Sequence, residues 1–328
     1  MDRRRQRRNH GHAPVIRRAL ALAAPLLAAI SLPASAWIAQ KAAAPSYTGP
    51  GDTIAFTAWY GLRAYSAAVA AAGTQPLIRI RNTATSELCD VLVAITGGMG
   101  LTSNCTSTGA GQTVSSFCGG VDCKVQTVYD QVAGNVCAGS TTCNIVQTTT
   151  ANQPALSAAD SYMAIISTGS TAVNMTSATT YTPNAAATMT LMGVGNISNV
   201  AAANIFGVAR NEINRANIVA GNWVLTGGGA GKTVGGLTEG AWHTAVGVMD
   251  GSHANSWMCA STSCGTPVGS AAPTVVTTAN KIQLAVIVNT ATVNKWREGG
   301  VKDNYAATGS EASALNVNSS AYWGFTPP

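Results

Sequence analysis

Short stretches in which apolar and polar residues alternate recur along this 328-residue chain, separated by clusters of Asn, Gly, Ser and Thr. Such alternation puts every second side chain on one face of an extended segment, so each stretch reads as a half-buried strand. The clearest lie at 77–81, 124–129, 189–194, 222–225, 242–249 and 282–288. Helical spacing is scarce. It predicts a brief helix over 60–71 and another over 211–216, with no heptads and no long amphipathic stretch. Many short strands punctuated by turn residues, without a regular strand–helix alternation, predict an all-β sandwich rather than a βαβ protein. Charged residues make up only 10% of the chain, and strands rich in Thr and Ser suit a sheet whose outer face is wet.

The first 36 residues follow a different pattern. Arg3, Arg4, Arg5, Arg7, Arg8, Arg17 and Arg18 precede an apolar run from Ala19 to Leu32, and Pro33-Ala34-Ser35-Ala36 supplies small residues. That order is the one of a secretory signal peptide. The apolar run is shorter than the roughly 20 residues of a membrane span, although an uncleaved anchor is the alternative. The chain therefore divides into a signal peptide (1–36), an Ala-, Pro- and Gly-rich linker (37–52) and one sandwich domain (53–328), secreted or periplasmic and free of the membrane after cleavage. The leader holds seven Arg and one Asp, so the 19 basic and 13 acidic side chains fall to 12 of each. A balanced mature chain lacks the basic patch that binding to nucleic acid requires.

Export bears on the cysteines. Eight thiols fall into local pairs: Cys89 with Cys105, Cys118 with Cys123, Cys137 with Cys143, and Cys259 with Cys264. In an oxidising compartment they read as a disulfide set, though spacing alone does not prove the connectivity. Zinc would need Cys-x-x-Cys or Cys/His spacing, which is missing. No metal and no cofactor is expected. Asp130 and Asp250 are the kind of hard ligand that calcium takes, but no ligand set forms around them in the sequence.

Three segments carry a family resemblance. The first is Gly61-Leu62-Arg63-Ala64-Tyr65-Ser66. The second runs from Phe117-Cys118 through Cys123 to Tyr129-Asp130-Gln131, followed by Asn152-Gln153-Pro154. The third is Trp242-His243 with Asp250-Gly251-Ser252. Together they resemble the catalytic domain of glycoside hydrolase family 54, the α-L-arabinofuranosidase B type. The resemblance implies a concanavalin A-like jelly roll of two antiparallel sheets with disulfide-bonded loops. It implies retaining hydrolysis of arabinofuranosyl residues, in which a Glu nucleophile and an acid stand about 5 to 5.5 Å apart. Phe206 to Glu212 matches the spacing of the family's nucleophile strand, which makes Glu212 the candidate nucleophile. The family's acid-bearing segment corresponds best to Leu315-Asn316-Val317-Asn318-Ser319, which has no carboxylate; Asp303 and Glu311 are the nearest acids. Ala201-Ala202-Ala203 stands where the family has adjacent cysteines.

The remaining candidates follow from side-chain chemistry. Trp223 and Trp242 offer apolar ring faces for a sugar, and with Asp130 they are the candidate substrate-binding residues. The expected partner is an arabinose-bearing polysaccharide or another glycan. A non-catalytic glycan-binding or adhesion module that kept the fold is the alternative. Thr226 to Thr233 imitates a phosphate loop, but Thr226 replaces the first Gly and no helix pattern follows, so a hairpin loop is expected. His243 and His253 have no nucleophile elbow with which to build a triad.

Overall fold

The computed structural model describes residues 46–100, 103–106, 111–132, 143–157, 162–168, 175–182, 188–198, 204–206, 215–219, 222–227, 230–234, 238–250, 257–260, 263–265, 281–284 and 293–325; for 197, the strands between 204 and 234, and those at 257–265, only the backbone is described. In chain order the first strands are β1 Ala58–Gly61, β2 Pro76–Asn82, β3 Leu88–Leu92, β4 Cys123–Val128, β5 Ile145–Val146, β6 Ala155–Ser157, β7 Ala164–Thr168, β8 Met175–Ser177 and β9 Thr188–Ile197. Then come β10 Asn204–Phe206, β11 Arg215–Val219, β12 Asn222–Gly227, β13 Ala230–Val234, β14 Trp242–Asp250, β15 Trp257–Ala260, β16 Ser263–Gly265, β17 Gln283–Leu284 and β18 Val293–Asp303. The helices are α1 Ala67–Ala72, α2 Val114–Cys118 and α3 Gly309–Trp323.

Every strand pair among the described residues is antiparallel. A large sheet follows the order β16-β15-β14-β9-β18-β7-β6-β4-β5-β8-β17, with β1 beside β18 and the β2–β3 hairpin joined to β4. The second sheet is the meander β10-β11-β12-β13. The expected all-β architecture of two antiparallel sheets is the one found, with the large sheet curled into a half-barrel.

β18 organises the large sheet. One edge pairs with β9 along most of its length, while the other pairs first with β7 and then with β1. The change of partner falls at a β-bulge between Trp296 and Glu298. A bulge adds one residue to one strand and re-aims the side chains on either side of it. Here it sends Trp296 and Glu298 to opposite faces. Glu298 lies in one row with Gly61 and Val194, whereas Trp296 lies in a row with Gly195 and His243.

α3 covers the face that bears Glu298. Thr308 caps it: its hydroxyl accepts from the Glu311 N–H, and the Glu311 carboxylate accepts from the Thr308 N–H at 2.7 Å. Gly324 ends the helix in the left-handed region, φ 65°, where a side chain would be strained. The core lies between these layers, with Trp59, Tyr60, Leu62, Leu77, Ile78, Ile145 and Ile165 fully buried.

The two expected helices meet a different structure. The stretch 60–71 is not one helix: Tyr60 and Gly61 end β1, and α1 starts only at Ala67 behind the Ser66 cap. Of 211–216, Arg215 and Ala216 belong to β11, and the rest lies outside the described residues. α3 was not expected at all. Within 37–52, Tyr47 packs on the core and donates to the Ala64 carbonyl at 2.5 Å, while Pro50–Asp52 forms a 3-10 turn.

Candidate functional site

Two of the three family-like segments hold each other. Gln131 donates from Nε2 to the carbonyls of Gly61 (3.0 Å) and Arg63 (2.9 Å), and its Oε1 accepts from the Tyr65 N–H (2.8 Å). Asp130 is buried, and its carboxylate accepts from the backbone N–H groups of Trp59 (3.1 Å), Val132 (3.1 Å) and Cys143 (3.3 Å). Burial pushes its pKa up to about 6, against the pull of those amides. Tyr129 donates to Asp90 (2.6 Å), which also takes a bidentate pair from Arg79. The Tyr-Asp-Gln corner is thus the clamp that fixes β1 and the turn after it. The Asp130 oxygens are turned to the chain's own amides.

The Glu298 face carries a layer of arginines and aromatic rings beneath α3. Arg63 and Glu298, both without solvent exposure, are joined by bonds of 2.5 and 2.9 Å. Ser319 of α3 closes the set, accepting from Arg63 (3.0 Å) and donating to Glu298 (2.7 Å). Burial draws the Arg63 pKa down, but the Glu298 carboxylate outweighs it and the guanidinium stays charged. The Arg297 guanidinium lies over the rings of Trp242 (3.6 Å to the centroid), Trp323 (5.0 Å) and Tyr162 (5.2 Å). Trp242, expected to stack on a sugar, is therefore stacked on an arginine of its own chain, on the face that α3 covers.

The opposite face is concave. Tyr60, Gly299, Gly193 and Ala245 follow one another across β1, β18, β9 and β14. Tyr60, Gly193, Gly299 and Trp296 line a small recess there with Gln283 and Leu284 of β17, its free space about 10 Å³, on the scale of one water molecule. β17 stands six strands from β18 along the ladder, so the sheet curls round onto this face. Tyr60 donates its hydroxyl to the Cys143 carbonyl (2.8 Å) and presents only its ring. Trp296 was readable as one of the tryptophans whose ring could stack on a sugar, whereas Gln283 was not singled out; it stands within the strand-like stretch 282–288.

The other candidates can be placed in turn. Glu212 lies in 207–214, between β10 and β11, outside the described residues. Trp223 belongs to β12, opposite Ile218 and Val234, and its side chain is not among those described. Leu315 to Ser319, matched to the family's acid-bearing segment, lies inside α3. Glu311 caps that helix, and Asp303 ends β18. His243 is buried, with Nε2 3.0 Å from the Thr238 carbonyl, and burial holds its pKa below the usual value. His253 and Cys137 lie outside the described residues. Gly227 pairs with Ala230, so the phosphate-loop imitation is a two-residue hairpin between β12 and β13.

Disulfides join Cys89 to Cys105 and Cys118 to Cys123. Cys143 is disulfide-bonded as well, and Cys259 stands directly opposite Cys264 across the β15–β16 hairpin. No described cysteine is free. Among the described residues, no group of three His, Cys, Asp or Glu could hold a metal ion, and no helix is long and apolar enough to cross a membrane.

No protein-family model matches the chain, and no curated protein does. Among solved structures it is similar to a GH54 α-L-arabinofuranosidase soaked with a cyclic sulfate inhibitor, at 13% identity and a TM-score of 0.50. It is equally similar to a glutamate-to-glutamine mutant of a GH54 α-L-arabinofuranosidase soaked with 4-nitrophenyl α-L-arabinofuranoside, at 12% identity and a TM-score of 0.50. The likeness is one of fold. Each match covers 83% of this chain and 64% of the solved one, so the GH54-like fold here spans less than two thirds of those proteins.

Proposed function

We propose that this is an exported, carbohydrate-active protein that engages arabinofuranosyl-bearing glycans, with Glu212 as the nucleophile of a retaining hydrolysis. The observation that carries this reading is the GH54-like fold of the curled antiparallel sheet. In such a reaction Glu212 attacks the anomeric carbon, an acid protonates the departing oxygen, and water then releases the sugar from the glutamyl ester. In sequence, Glu212 falls between β10 and β11. Asp130 is bound to amides and Glu298 to Arg63, so neither of these buried carboxylates is placed to protonate a leaving group.

That last observation favours a second reading, a glycan-binding module without the chemistry. One comparison separates the two. The mature protein is given 4-nitrophenyl α-L-arabinofuranoside beside Glu212→Gln, and both proteins are probed on a glycan array. Release that the substitution abolishes establishes the hydrolase. Binding with no release by either protein establishes the module, and neither binding nor release refutes both.

A further inference from the structure

The sheet face that α3 covers at β14 and β18 continues over β7, β6, β4 and β2, and there it carries an unbalanced charge. Strand register places Arg81 of β2 directly opposite Lys124 of β4. The same row runs on through Ala155 of β6 and Ile166 of β7 to Lys295 of β18. All five residues are partly exposed, while their neighbours along each strand are buried or turned to the core. Like charges directly opposite one another in an antiparallel pair destabilise the sheet. No carboxylate offsets this pair. Asp90 on β3 is taken by Arg79 and Tyr129, and Glu87 accepts from the Thr85 hydroxyl at 3.3 Å. Asp122, exposed just outside β4, forms no ion pair among the described residues, and neither does Lys124. Arg81 donates from Nη1 to the Ser86 carbonyl (3.2 Å), while its buried Nε has no partner. An anion held between Arg81 and Lys124 would remove the repulsion. The rest of the row sets the kind of anion. Lys295 follows Lys124 at three strand spacings, roughly 14 Å, with only Ala155 and Ile166 between them. A chain of acidic sugars has both parts: ring C–H faces that lie on apolar side chains, and carboxylates that meet cations. A nucleic acid offers an unbroken line of phosphates, for which three cations on one row are few.

We infer that this row is a binding surface for an acidic polysaccharide, with a uronate carboxylate held between Arg81 and Lys124 and the chain running toward Lys295. The inference rests on the glycan-engaging reading above and adds to it the class of sugar that this face takes. The test uses the mature protein with a galacturonate oligomer, a neutral arabinan oligomer and duplex DNA. Binding is followed by calorimetry at low and high salt in the parent, Arg81→Gln, Lys124→Gln and the double variant. The galacturonate oligomer is expected to bind the parent, and less tightly as salt rises. Each single substitution is expected to weaken that binding about threefold and the double about tenfold, the scale of exposed charge pairs. Binding of the arabinan oligomer should not change. Lys124→Gln is expected to melt no lower than the parent, since it removes a repulsion. If the variants bind the acidic oligomer like the parent, or if DNA binds the parent as tightly as that oligomer does, the surface is overturned while the glycan reading stands. If the parent ignores the acidic oligomer yet cleaves aryl arabinofuranoside or captures a neutral glycan, only the surface falls. If no glycan is bound and none is cleaved, both fall.

Discussion

At the scale of single residues, the Arg63–Glu298 pair is the most consequential contact. Two fully buried charges are costly to desolvate, and what offsets the cost is the two-pronged geometry, the Ser319 hydroxyl bonded to both, and the Tyr322 ring 4.6 Å from the guanidinium carbon, with Arg63 Nη1 left without a hydrogen-bond partner. Removing one partner leaves a bare buried charge. Arg63→Met is therefore expected to cost about 3–5 kcal/mol, whereas Arg63→Met with Glu298→Leu should recover much of it; urea unfolding of both variants measures the difference. Asp130 gives a second prediction, with the opposite sign from most carboxylates. Its pKa rises from 3.8 to about 6 on folding, so the folded state holds the extra proton between those values. Stability should be greatest below about pH 4 and fall as pH rises through 6, by at most about 3 kcal/mol from this group. Asp130→Asn should flatten that slope in melts between pH 4 and pH 7.5. Both residues stand in segments whose family-like text was legible, yet their tasks were not. Spacing tells which residue types recur, but not which face of a curled sheet they reach, and the bulge at Arg297 inverts that face within one strand.

At the scale of elements, the strands were legible and the long helix was not. The stretches 77–81 and 189–194 fall inside β2 and β9, and 242–249 inside β14, because period-two alternation survives wherever one face of a sheet is buried. α3 failed to announce itself for a physical reason. Its buried positions are Ala312, Leu315, Asn316, Ser319, Ser320 and Trp323, spaced as a helix requires, but half of them are Ser or Asn. Ser319 is bonded to the buried Arg63–Glu298 pair and Ser320 to the Val317 carbonyl of its own helix, so polar residues break the apolar stripe that marks a helix. With weak helix formers in its body, α3 depends on its ends and its docking. Thr308→Ala removes the hydroxyl that accepts from Glu311 N–H, and is expected to cost about 1 kcal/mol. The measurement is the shift of the urea midpoint at unchanged slope, and Thr308→Ser should restore most of it.

At the scale of the whole molecule, α3 closes one side of the large sheet as the curl closes the other. The last helix lies over strands that span the middle of the chain, so its docking depends on contacts far apart in sequence, such as Arg63 with Ser319 and Tyr322. The jelly-roll character was readable because two family-like segments, 61–66 and 129–131, are bonded to one another and preserve their spacing for that reason. The helical lid carried no such spacing. A chain ended after Ala307 would bare Arg63, Glu298, Arg297 and Trp242 on one face while leaving every strand of the sheet in place. Water would then solvate the ion pair, but Val194, Val246 and Trp242 would lose their cover, and a broad patch of that kind favours association. The shortened protein is expected to bind a hydrophobic dye, lose its near-ultraviolet circular dichroism and aggregate on concentration, while its far-ultraviolet spectrum keeps a strand signature. A monomer with the parent's near-ultraviolet spectrum would show instead that the curled sheet holds its packing without the helix, and that the arginine layer serves something other than closure.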